Sequence, residues 1–177
     1  MLIEDVRSAL AAARAVWHGQ PQRVRGVYGV YLVEGFSIPG LMTADDGLLY
    51  IGHNVTGVSH LDHFAGTLNA NRSTSPLRSL GALLQRELAL EVVPSTVWDD
   101  GFSFVFTADS EARLSDWMAK ALHVAQLPLA CDTAQARSLL VRELEPPLNL
   151  SGWRNPQRNH ILSARRACAY GAQTDFT

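Results

Sequence analysis

Apolar positions along this chain fall into two kinds of spacing. Leu2, Ile3, Val6, Leu10, Ala13, Val16 and Trp17 recur every three or four residues, which predicts an amphipathic helix over 2–17 that Gly19 and Pro21 end. Two short runs follow, Gly26 to Val33 and Leu48 to Gly52, filled by Val, Tyr, Leu and Ile. Such side chains suit a pleated, half-buried surface, so both runs read as strands. Between them lie the turn formers Gly35, Pro39, Gly40, Asp45, Asp46 and Gly47, and the pair is predicted to be antiparallel. Alternation puts Tyr28 and Val30 on the face opposite Val27, Gly29 and Tyr31. One of these tyrosines therefore shares a face with Tyr50, whichever register holds.

Residues 53–66 read as a turn and a short helix. Ser75-Pro76 then opens a helix lined by Leu77, Leu80, Leu83, Leu84 and Leu88, which Pro94 closes. Phe102, Phe104 and Phe106 alternate with Ser103, Val105 and Thr107, and this is the predicted third strand. Asp109 or Ser110 caps a helix with the stripe Leu114, Trp117, Met118, Ala121 and Leu122. A loop through Pro128 leads to a last long helix, Thr133 to Leu144, stopped by Pro146-Pro147. The remainder reads as a basic tail carrying Arg154, Arg158, Arg165 and Arg166.

With 177 residues, 47% of them hydrophobic, the chain is long enough to bury one sizeable core. A net charge of -2 leans away from broad, non-specific nucleic-acid binding, since phosphate neutralisation needs a basic excess. Any basic surface is therefore local. Two cysteines, Cys131 and Cys168, make neither a disulfide framework nor a zinc motif. No apolar run reaches membrane-spanning length, and Glu4 and Asp5 precede any apolar stretch, so no secretory signal is read and a cytoplasmic location is expected.

Gly26-Val27-Tyr28 followed by Tyr50-Ile51-Gly52 resembles the paired signature of the GIY-YIG nuclease superfamily. The segments Ser73-Thr74-Ser75, Leu77 to Leu84 and Leu114 to Met118 are similar to one bacterial branch, and Pro146-Pro147-Leu148-Asn149 is similar to the family's terminal motif. Gly29-Val30-Tyr31 is an alternative frame for the first signature. The fold the resemblance implies is α/β: a small three-stranded antiparallel sheet flanked by helices, here with an extra N-terminal helix. It divides the chain into a helix packed on the core (1–24), a GIY-YIG-like domain (25–150) and the basic tail (151–177).

The chemistry the resemblance implies is divalent-metal-dependent phosphodiester cleavage. A glutamate holds the metal, a tyrosine helps to deprotonate water, and an arginine with a histidine or lysine binds phosphate. Carried over, Tyr28 and Tyr50 match the signature tyrosines. His53 follows the second signature, His63 matches the family histidine, and Asn149 matches the terminal asparagine. Two positions depart. Ser59 stands where the family arginine belongs, so Arg72 or Arg78 substitutes from the next loop or helix. The metal glutamate belongs about three helical turns before the asparagine, and Arg137 stands there. An arginine stays protonated and ligates no cation, but it would still hold an anion, so Arg137 joins Arg72, Arg78 and Asn149 as a candidate phosphate-binding residue. Glu143 lies about 240° round the same helix. His60 and His63 share a helix face but lack a third ligand for zinc.

Three hypotheses follow. The first is a divergent member, with metal-dependent cleavage weakened or lost, that keeps an anion- or phosphate-binding pocket. The second is an active DNA endonuclease using Mg²⁺ or Mn²⁺. The third is a metal-independent enzyme that acts on a small molecule through the tyrosines and histidines. No resident metal ligand is assigned, DNA or another anion is the expected partner, and oligomeric state is left open.

Overall fold

The computed structural model describes residues 3–17, 25–54, 76–95 and 104–174. The two signature runs form β2 (Gly26–Leu32) and β3 (Leu48–Asn54), antiparallel as expected, with Tyr28 opposite Gly52 and Val30 opposite Tyr50. The loop between them closes at Gly47, whose carbonyl accepts from Leu32 N at 2.8 Å. Its φ of +74° suits glycine, and a Cβ there would lie 2.5 Å from Leu32 O.

The helix expected over 2–17 is shorter. α1 (Ile3–Ala12) stops early, and Ala15–Val16 forms a two-residue strand, β1. Val16 and Trp17 continued the helical spacing, but Val16 pairs with His123 on a neighbouring strand and Trp17 N donates to Leu122 O at 3.2 Å. Strand pairing replaces the last helical turn.

The predicted third strand is also corrected. β5 (Phe104–Phe106) pairs with β4 (Val92–Pro94) in a separate two-stranded sheet. The main sheet takes β6 (Leu122–Pro128) instead, in the order β1-β6-β2-β3, so β2 is central. β6 escaped notice for two reasons. It leaves α3 (Ala108–Ala121) without a connecting loop, so the helical stripe runs straight into it. Both its faces are also covered: Leu122 packs in one core cluster and Ala125 in the other, which erases polar alternation.

Helix caps follow short-range chemistry. Thr107, not Asp109 or Ser110, caps α3, and its hydroxyl accepts from Ser110 N at 3.4 Å. α4 (Thr133–Leu144) has the predicted bounds. Asp132 Oδ1 accepts from Ala134 N at 2.9 Å and Gln135 N at 3.2 Å, and Glu145 ends the helix in left-handed backbone before the two prolines. α2 (Pro76–Leu84) begins on its proline and is buried along its whole length. The stretch read as a basic tail holds α5 (Arg158–Thr174), which packs on α2.

The sheet divides the molecule into two layers. Tyr28, Val30, Leu49, Tyr50 and Leu122 face α2, α3, α5 and the small sheet. Val27, Tyr31, Leu48, Ile51 and Ala125 face α1 and α4. No helix among the described residues is long and apolar enough to cross a membrane.

Candidate functional site

Strand pairing decides which tyrosines meet. The register shifts between Val30 and Tyr31, which makes a β-bulge at Leu49. Leu49 and Tyr50 therefore both turn to the Tyr28 side. The rings of Tyr28 and Tyr50 lie 6.1 Å apart, tilted by 42°. Tyr28 is fully buried, whereas Tyr50 keeps some exposure. Tyr31, the tyrosine of the alternative frame, lies on the other face and packs with α1 and α4.

The two halves of the signature form one packing unit. A Cβ on Gly52 would lie 2.1 Å from Tyr28 Cζ and 2.3 Å from its hydroxyl oxygen. Tyr28 lies across β3 only because position 52 has no side chain.

Asn149 is committed to the backbone. Its Oδ1 accepts from Ile51 N at 2.8 Å and its Nδ2 donates to Ile51 O at 2.9 Å. Leu148 N adds a bond to Leu49 O at 2.9 Å. Pro146–Asn149 thus substitutes for a strand along the outer edge of β3. Trp153 Nε1, donating to Asn149 O at 3.0 Å, and Asn155 Nδ2, donating to Pro147 O at 2.7 Å, brace that segment. Asn149 holds Tyr50 and Gly52 in place.

His53 opposes Val27, a residue of the α1/α4 layer, so it projects away from the tyrosine pair. Arg137 sits three and four residues before Leu140 and Val141, the buried residues of α4, and is half-buried on that same side. The sheet therefore lies between Tyr28 and Tyr50 on one hand and His53 and Arg137 on the other. His63 and Arg72 lie outside the described residues.

Arg78 is on the tyrosine side. Only 6% exposed on α2, it donates from a terminal nitrogen to Phe104 O at 2.9 Å, and its guanidinium lies 4.9 Å from the Phe104 ring centroid. Arg165 on α5 is 9% exposed. Burial, and then the positive charge of Arg78, push its pKa down to about 10. One turn on, Cys168 donates its thiol to Gln85 Oε1 at 3.2 Å. Burial pushes that thiol up to about 11, against the pull of Arg78. Two cations thus share the tyrosine layer. Arg165, in the stretch expected to be a tail, stands within the stripe Ile161, Cys168, Ala169 and Ala172 at helical spacing, the signal that marks it.

Among the described residues, no group of three or more His, Cys, Asp or Glu is placed to hold a metal ion. The described residues on the tyrosine face therefore do not fit a divalent ion.

The α/β domain sets Tyr28 and Tyr50 on one face of an antiparallel sheet. A family model described as the GIY-YIG catalytic domain matches residues 34–167, most of the chain, and the protein belongs to that family. The match takes in Tyr50, α2 and Asn149 and starts after β2, so Tyr28 lies outside it, on the strand that pairs with β3. No curated protein and no solved structure matches the chain.

Proposed function

We propose that this protein is a divergent member of its family whose tyrosine face binds a phosphate-bearing ligand, nucleic-acid backbone above all, with metal-dependent cleavage weakened or lost. The observation that carries this reading is two buried guanidiniums, Arg78 and Arg165, in the layer that holds Tyr28 and Tyr50. Charges in a low-dielectric interior are weakly screened, so both add positive potential to the layer in which the partly exposed Tyr50 lies. A phenol there donates to a phosphate oxygen. Arg137, matched in sequence to the metal glutamate, lies across the sheet from that face, so it supplies no means of generating hydroxide beside the tyrosines.

The test is a short DNA duplex titrated at increasing salt, beside plasmid nicking with magnesium or manganese. The expected result is binding that weakens steeply with salt, with little nicking. Arg165→Met is expected to weaken binding, and urea denaturation of the same variant separates loss of the cation from loss of the fold. Rapid nicking that Tyr28→Phe abolishes would restore the active endonuclease. Absence of binding at low salt would remove the phosphate pocket and leave small-molecule chemistry.

A further inference from the structure

A second cationic cluster lies on the opposite sheet face. Register places Leu48, Tyr31, His123 and Val16 in one row across all four strands. Arg14, in the turn between α1 and β1, lies over this row with its guanidinium 3.9 Å from the Tyr31 ring centroid. Asp46, in the turn before β3, is the acid of the cluster. Its Oδ1 accepts from Leu48 N at 3.1 Å, and Arg7 approaches its Oδ2 to 3.3 Å. Arg14 approaches that same oxygen only to 4.0 Å.

The carboxylate is therefore taken up by a backbone amide and by Arg7. Arg14 keeps a buried Nε with no hydrogen-bond partner. An unmet buried donor costs about 1–3 kcal/mol, and the Arg14 side chain as a whole keeps 27% of its surface exposed. Contact with Tyr31, itself 1% exposed, positions the guanidinium, whose planar fork suits bidentate capture of a planar or tetrahedral oxyanion. His123 stands in the same row, half-buried. Asp45 is exposed and makes no ion pair among the described residues, so solvent screens its opposing charge.

We propose that Arg14 and Arg7, floored by Tyr31 and flanked by His123, form a binding site for a phosphate group on the face away from the tyrosine pair. Two guanidiniums to one committed carboxylate leave a net positive charge there. The site is independent of the reading given for Tyr28 and Tyr50. Its ligand is a phosphate carried on a nucleic-acid backbone or a free phosphate ester.

The test follows the arginine Nε–H resonances of the ¹⁵N-labelled full chain during titration with sodium pyrophosphate and, separately, with a short DNA duplex. A saturable shift of the Arg14 signal is expected. Arg14→Gln is expected to weaken pyrophosphate binding about tenfold, whereas Arg142→Gln, at an exposed arginine outside both sites, leaves it unchanged. A shift with both probes assigns the site to backbone phosphate, and a shift with pyrophosphate alone assigns it to a free ester. An Arg14 signal that neither probe moves overturns the proposal. That titration uses the unaltered chain, so the outcome stands even if Arg14→Gln fails to fold.

Discussion

Replacing Gly52 with alanine places a methyl group 2.1 Å from Tyr28 Cζ and 2.5 Å from Cε1. Carbon atoms rest about 3.5–4.0 Å apart, so the ring has to retreat by roughly 1.4 Å. It has little room, because Tyr28 is fully buried and packs against Tyr50. Gly→Ala in a strand ordinarily stabilises by about 0.5–1 kcal/mol through the unfolded chain. Overpacking costs about 1–3 kcal/mol and decides the sign here. Gly52→Ala is therefore expected to lower stability by about 1–2 kcal/mol, read from urea denaturation at constant m. The sharper measurement is the double variant with Tyr28→Leu, which removes the clashing ring. Tyr28→Leu destabilises alone, but the pair is expected to cost at least about 1 kcal/mol less than the sum of the two single changes. Additivity within about 0.5 kcal/mol would refute the claim that the two signature halves are one packing unit.

Two further outcomes follow from buried groups. Asn149→Ala strips both side-chain bonds from Ile51 at a site 2% exposed and is expected to cost about 2–4 kcal/mol; in hydrogen exchange, Ile51 N–H should lose protection while Ala125 N–H in β6 keeps it, and equal loss at both would refute a local clamp. Cys168 titrates at about 11 in the fold against 9.0 ordinarily, so the unfolded chain loses its proton first and stability falls between pH 9 and pH 11; denaturation midpoints of Cys168→Ala should fall less over that window than those of the parent, and parallel curves would refute this linkage.

Where local chemistry decides an element, the sequence declared it. β2 and β3 followed from their β-branched and aromatic runs, and α4 followed from the Asp132 cap and the Pro146-Pro147 stop. Elements set by tertiary burial stayed hidden. β6 has no polar face to betray a strand, and α5 buries small residues, Cys168, Ala169 and Ala172, in place of the large apolar stripe that marks a helix. The candidate site divides the same way. Alternation put one tyrosine beside Tyr50, but only the register and the bulge at Leu49 chose Tyr28. Asn149 carried a motif match, yet its partner lies 98 residues away, which no spacing rule reaches. The side taken by His53 followed from its register opposite Val27, whereas that taken by Arg137 depended on where α4 docks, a long-range outcome.

Asn149 satisfies the outer edge of β3 with a side-chain amide instead of a neighbouring strand. A full strand would have brought its own alternating side chains alongside Tyr50 and roofed the phenol over. The carboxamide and the Leu148 amide occupy the outward groups of Ile51 and Leu49 on which a second copy could template. They do so while leaving the tyrosine a window onto solvent.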